Sequence, residues 1–405
     1  MSKDIEKNYM HQSSFLNKYK RFLHIIGPAW IVMIADIDVG SIITGIQSGA
    51  QYGYSLIFIN IILIIPLFIV QDASGRLGIV TKKGIGELIR ERYGSKIAIL
   101  SSFPMAITDI ISYMVEYAGM GIGLMVLGLP VIEFLLIIFL LHMMVIITRS
   151  YNVAEKILMP LSVLLLLFII IVGIISKPNF KSLVFIGFNP INLTGNANYD
   201  YLMLANIGAV LMPFMLFFQS GAVAEKNTQI EDIKHERMET FIGAIVSQLM
   251  MVALIVVGTN FDSTQFTKEA IIKAMSSIGA IAVYLFGIAL IIAGFFALVV
   301  ISLGSAWGVV ESLGIKRFSK QMLLVYAIES IPSLVYIFLF STSVTFVINL
   351  MILLVFTLAV PTICIGLLVG NKKIMGKYAY KKWEISLYWV MIAIVEISGL
   401  FVIFL

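Results

Sequence analysis

The stretch Ala35-Asp36-Ile37-Asp38-Val39-Gly40-Ser41 sits near the middle of a hydrophobic run over residues 27–50. Carboxylates in hydrocarbon are costly and mark function by default. Helix-breaking backbone at membrane depth survives only where it is buried in protein or lines a cavity. A second polar break, Met212-Pro213-Phe214, lies in the sixth hydrophobic run, 200–223. Paired breaks at matching positions of two halves point to the binding site of a secondary transporter.

Composition supports a membrane protein. The 405 residues are 60% hydrophobic and 13% charged, with a mean hydropathy of +1.00, outside the range of soluble domains. The single cysteine, Cys364, excludes an intrachain disulfide and reads as packing. Residues 1–26 carry Lys3, Lys7, Lys18, Lys20 and Arg21 ahead of a long first span, the pattern of a retained cytoplasmic segment and not of a cleaved signal. Ile5, Tyr9, Phe15 and Phe22 give it an amphipathic character suited to the inner membrane surface.

A span needs about 20 apolar residues. That measure predicts an all-α chain of eleven transmembrane helices: 27–50, 54–74, 97–127, 131–148, 154–176, 200–223, 238–258, 275–307, 321–340, 343–369 and 384–405. The basic residues of alternate loops divide unequally, with 24 of the 28 Lys and Arg on the side of the N-terminus. The positive-inside rule therefore predicts an inner-membrane protein with a cytoplasmic N-terminus and an extracytoplasmic C-terminus. The net charge of +5 follows from this asymmetry, so no nucleic-acid partner is expected. Five spans before the second break make the two halves run in opposite senses, an inverted repeat. The expected organisation is a cytoplasmic segment over 1–26 and one transmembrane domain over 27–405. Within it lie repeat one at 27–176, repeat two at 200–369 and an extra helix at 384–405.

At the first break, Gly40 lifts side-chain restriction while Asp36, Asp38 and Ser41 offer oxygens. Unwinding there frees carbonyls, which with Asp38 make a cation site. A blander reading gives Gly40 to close helix packing and leaves Asp36 and Asp38 facing water near a helix end, while Asp36 is either on the substrate path or a structural partner. At the second break, Pro213 removes a backbone donor and exposes the carbonyls of Ala209 and Val210. Met212 adds a thioether, which selects softer transition metals over Mg²⁺ and Ca²⁺, although a membrane methionine is more commonly packing. Asp109 and Glu116, seven residues apart, share one helical face. They line an aqueous route or sit near a helix end. His142 and Glu396 read as hydrogen-bonded packing residues, and Asn206 as a brace for the sixth span. Asn192-Leu193-Thr194 is a glycosylation pattern with meaning only in a glycosylating host.

Asp38-Val39-Gly40-Ser41, with the downstream Gly49-Ala50-Gln51-Tyr52-Gly53-Tyr54, resembles the first-helix signature of the Nramp divalent-metal transporters, Asp-Pro-Gly-Asn followed by Gly-Ala-Gln-Tyr-Gly-Tyr. Gly208-Ala209-Val210-Leu211-Met212-Pro213-Phe214 resembles their sixth-helix Gly-Ala-x-x-Met-Pro-His motif. Gln71 with Gly75 to Thr81, Gly187-Phe188-Asn189-Pro190 and Lys373-Ile374-Met375-Gly376 extend the match over essentially the whole chain. The resemblance implies a LeuT-type 5+5 inverted repeat with discontinuous helices 1 and 6. It also implies inward movement of Mn²⁺ or Fe²⁺, usually with protons, and no resident cofactor. The family's metal ligands fall on Asp38, Ser41, the Ala209 carbonyl and Met212. Its nearby glutamine falls on Gln71, and its tenth-helix glutamine, by ungapped counting, on Thr357.

The departures bear on mechanism. Val39 stands where the family has proline, Ser41 where it has asparagine, and Phe214 and Gln219 where it has histidines. Glu116 fits the third-helix acid, but Tyr113 replaces its partner acid, and Glu329 stands in the span that carries the family's basic pair. Proton-path candidates are therefore reduced to Glu116 and Asp109, and coupling is expected to be weak or lost. A transporter of a non-metal solute on the same fold, and an Nramp-related Mg²⁺ transporter, remain alternatives. A membrane receptor or an enzyme is disfavoured, since no signalling module or nucleophile constellation is seen. No obligate protein partner is evident.

Overall fold

The computed structural model describes residues 27–148, 150–193, 195–262, 265–337 and 343–402. The expected amphipathic segment over 1–26 and Thr194 of the glycosylation triplet lie outside these residues. Among the described residues every regular element is helical.

The first span is two helices, α1 (Pro28–Ala35) and α2 (Val39–Tyr52), bent by 50° across Asp36-Ile37-Asp38. Pro28 opens α1, where its missing N–H costs nothing. Asp38 has extended backbone and caps α2 with its side chain. The chain continues through α3 (Ile57–Thr81), α4 (Ile85–Tyr93), α5 (Ser95–Val126), α6 (Val131–Ile147), α7 (Tyr151–Ile175) and α8 (Phe180–Gly187). The sixth span is again divided, into α9 (Ala197–Val210) and α10 (Pro213–Glu225), with the non-helical Leu211 and the extended Met212 between them. Then follow α11 (Ile233–Gly258), α12 (Lys268–Ile278), α13 (Ala280–Ser312), α14 (Lys320–Ile337), α15 (Val344–Val369), α16 (Lys372–Met375) and α17 (Lys382–Val402).

Both predicted breaks are present. The count of eleven is not reached by length and apolarity alone: among the described residues nine spans qualify when the bent first pair is taken as one. The helix α6 is short, at 17 residues, and α14 is described only to Ile337. The expected single helix over 275–307 is corrected to α12 plus α13. Gly279, at φ +154°, turns the chain between them in a conformation that side-chain-bearing residues rarely adopt.

The broken helices lie at the centre. Every residue of α10 from Pro213 to Val223 is buried, as is α2 from Val39 to Gly49. Helices apolar all round belong inside a bundle. Small residues set the closest crossings. A methyl group on Gly208 would stand 1.7 Å from the Met351 carbonyl oxygen of α15, and one on Gly49 would stand 2.0 Å from the Ile255 carbonyl of α11.

Candidate cation site between the broken helices

The site grows from one residue's conformation. Because Asp38 is extended, its carboxylate turns back over the first turn of α2, and Oδ1 accepts the Ser41 N–H at 2.6 Å. Ser41 in turn donates its hydroxyl to the Ala209 carbonyl at 3.1 Å. In an unbroken helix that carbonyl would accept from the residue four places on, but this is Pro213, which has no N–H. A freed acceptor of the second break is thus held by a side chain of the first. Met212 occupies the capping position of α10 in extended conformation. Asp38, Ser41, Ala209 and Met212 are each at most 1% exposed, and hydrogen bonds join the first three into one chain.

Two further residues complete the surroundings, one predicted and one not. Glu116 of α5 accepts the Val39 N–H through Oε2 at 3.2 Å, holding the positive end of α2, while its Oε1 is buried without a hydrogen-bond partner. Met351 of α15 was not singled out by the sequence. Its sulfur lies 3.1 Å, and Asp38 Oδ1 3.3 Å, from the point where a methyl group on Gly40 would stand. A second thioether therefore shares the neighbourhood of the carboxylate. One methionine among 21 on an apolar helix carries no local mark of this.

The family model for "natural resistance-associated macrophage protein-like" proteins matches residues 29–405. This chain belongs to the Nramp family. It is 27% identical to a protein of Staphylococcus aureus named divalent metal cation transporter MntH, over 97% of this chain and 93% of that protein. A protein of the same name from Klebsiella pneumoniae is 25% identical, over 92% of each chain. The solved manganese transporter of Eremococcus coleocola shares the fold with a TM-score of 0.78 at 18% identity, covering 95% of this chain and 86% of that one. MhsT, solved with L-phenylalanine, shares it more distantly at a TM-score of 0.62 and 13% identity, covering 93% and 97%. The all-helical, LeuT-type fold expected from the sequence is thereby shown.

The remaining sites expected for an Nramp protein are less uniformly placed. Gly40 is not in the break; it lies inside α2, where its missing side chain admits Met351. Asp36 turns away from Asp38's partners to accept from the Ser247 hydroxyl and, at 3.3 Å, from Gln248, both on α11. That is the arrangement of a structural partner. Gln71 is buried in α3 with Oε1 unpaired. Gln219 donates to Glu236 and Thr240 of α11, each at 3.0 Å. Phe214 is buried with its carbonyl against Gly304 of α13. Thr357 is half-buried and bonds the Leu354 carbonyl of its own helix at 2.9 Å.

Asp109 is fully buried within α5 and not near its end. It and Glu116 serve different neighbourhoods of one helix face. His142 is hydrogen-bonded as expected, its Nε2 2.8 Å from the Ser302 hydroxyl. Glu396 is not: its Oε1 is buried with no partner, which corrects the packing expectation. Asn206 bonds Asn60 at 3.0 Å and Ser48 at 2.9 Å, bracing α9 against α2 and α3. Unpredicted, Glu239 of α11 accepts from the N–H groups of Gly27 and Trp30 at 2.6 and 2.8 Å, satisfying the free donors at the start of α1.

Proposed function

We propose that this chain imports divalent metal ions, Mn²⁺ or Fe²⁺ ahead of Mg²⁺, by alternating access around Asp38 and Met212. The observation that carries the reading is the Ser41 bridge from Asp38 to the Ala209 carbonyl. It gathers one carboxylate, one hydroxyl and one freed carbonyl near the Met351 thioether, and Met212 stands at the capping position of α10, three residues beyond that carbonyl. Among the described residues no group of three His, Cys, Asp or Glu assembles a metal site. A single negative charge with neutral donors suits a cargo that must be released. Soft sulfur disfavours Mg²⁺, whereas the harder Ser41 hydroxyl in the asparagine position supports the Mg²⁺ alternative.

Proton coupling is weak or absent in this proposal. Phe214 and Gln219 cannot titrate, and histidine is the side chain that does so near neutrality without perturbation. A divalent cation gains roughly 4.6 kcal/mol from an inside-negative potential of about 100 mV, enough to drive uptake with a concentration gradient. The proposed setting is the inner membrane, with the N-terminus cytoplasmic, the C-terminus outside, and inverted repeats over 27–176 and 200–369. Cysteines introduced beyond Leu405 then react with impermeant thiol reagents in intact cells, and those at the start of the chain do not.

The test of transport is uptake into proteoliposomes with an internal pH dye, together with calorimetric titration by Mn²⁺, Mg²⁺ and Ca²⁺. Mn²⁺ enters with little acidification at zero voltage. Tight Mg²⁺ binding with no Mn²⁺ uptake would favour the Mg²⁺ alternative. Robust metal-dependent acidification that Glu116→Gln removes would show that coupling survives. Failure of every divalent ion to bind would move the reading to a non-metal solute.

A further inference from the structure

Away from the broken helices, α5, α13 and α14 enclose two carboxylates with no basic side chain to answer them. Asp109 of α5 is fully buried, and neither of its oxygens has a hydrogen-bond partner. Glu329 of α14, also buried, accepts the Tyr113 hydroxyl at 3.2 Å, and Tyr113 stands one helical turn from Asp109 on the same face of α5. Ser305 of α13 lies beside both carboxylates, yet its buried hydroxyl completes a hydrogen bond to neither. The neighbouring titratable groups are Tyr113, Glu116 and Tyr117 on α5, His142 on α6 and Tyr326 on α14. The His142 ring nitrogens are engaged by Ser302 and Tyr117.

The described helices around the pair carry no Lys or Arg at mid-span. The helices α5, α6, α13 and α14 hold only two basic residues, Lys96 and Lys320, both exposed at helix starts. Of the cations on helices packed beside α5, Arg90 of α4 binds the Ser312 carbonyl and Lys273 of α12 binds Asp262. Two buried carboxylates, one bonded to Tyr113 and the other one helical turn along from it, cannot both remain ionised and uncompensated. Buried polar atoms without partners call for an ion or water.

We propose that Asp109 and Glu329, with the Ser305 and Tyr113 hydroxyls, form a second cation site, distinct from the transport site, which holds one monovalent cation. The two sources of that charge are a proton shared by the carboxyls and a sodium ion among the oxygens. Either one ties α14 to α5 and α13. The site stands independently of the cargo at Asp38.

The experiment is thermal unfolding of the purified full chain. One arm compares sodium with N-methylglucamine chloride at equal ionic strength. The other runs from mildly acidic to mildly alkaline pH. A bound sodium raises Tm in the sodium arm by mass action. A proton retained by the folded protein but released on unfolding gives a Tm that falls as pH rises. In either case Asp109→Asn and Glu329→Gln each abolish the dependence while keeping a monodisperse size-exclusion peak. Should Asp109→Asn fail to fold, Glu329→Gln carries the same comparison from the other helix. A wild type indifferent to both sodium and pH, or a dependence that persists undiminished in the folding-competent variants, overturns the proposal.

Discussion

The middle of the bundle and its basic end handle charge in opposite ways. At the basic end several carboxylates have cations. Arg317 joins Glu225 at 2.7 Å and also Glu311, which itself accepts the Gly86 N–H, so that α4, α10 and α13 are tied together. Asp72 takes Arg76 at 3.0 Å and the Tyr380 hydroxyl at 2.6 Å, Glu384 takes Arg237 at 3.2 Å, and Glu155 takes Lys226 at 2.7 Å. At mid-depth Asp36, Asp38, Asp109 and Glu116 meet hydroxyls, amides and backbone N–H groups, or no partner. The contrast separates holding from carrying. Charges neutralised within the protein lock helix ends, whereas charge left over in the interior is what the proposed cation sites would use.

The contrast is tested most severely at Asp38. Removing the charge of the proposed ligand set in a low-dielectric site should reduce Mn²⁺ uptake by Asp38→Ala to the level of empty liposomes. Normal transport in this variant would place the cargo elsewhere. Next comes the basic end. Arg317→Ala strands Glu311, whose side chain is 3% exposed, and breaking a buried pair from one side costs about 3–5 kcal/mol. Scanning fluorimetry should register a clear drop in Tm, with Mn²⁺ affinity at Asp38 little changed.

A smaller effect separates the soft ligands from packing. Met212→Ala should weaken Cd²⁺ or Mn²⁺ binding on the order of tenfold, about 1.4 kcal/mol, relative to Ca²⁺. Met351→Ala should act in the same direction and less strongly. Equal losses for soft and hard ions would reduce both methionines to packing. The smallest effect is a control on burial. Lys273 and Asp262 pair at 3.0 Å, but their side chains are 74% and 77% exposed. Lys273→Ala should change stability by no more than about 1 kcal/mol. A loss as large as that of Arg317→Ala would mean that burial is not what distinguishes the two pairs.

Much of the site was legible because its causes are local. Pro213 frees the Ala209 carbonyl through its own missing N–H, and Asp38 caps the helix that begins one residue later. Gly40 was misread for the same reason. A glycine beside a break looks like part of the break, and only the side chain arriving from α15 shows that it makes room. Met351 escaped notice because counting along a helix cannot reveal where another helix crosses it.

The sequence by itself determined the membrane class, the helical fold, the two interruptions and three residues that the structure joins by hydrogen bonds. These follow from hydropathy and from backbone chemistry acting within a turn or two of helix. Only the tertiary structure decided that Ser41 would reach Ala209, 168 residues away, that Glu116 would hold Val39, and that Met351 would stand beside Asp38. It likewise decided that Glu329 would meet Tyr113, one turn from Asp109, across 216 residues of sequence. Side chains far apart in sequence meet only when close-packed helices choose their register, and that choice is made by the shapes of whole surfaces, with glycines at the points of closest approach.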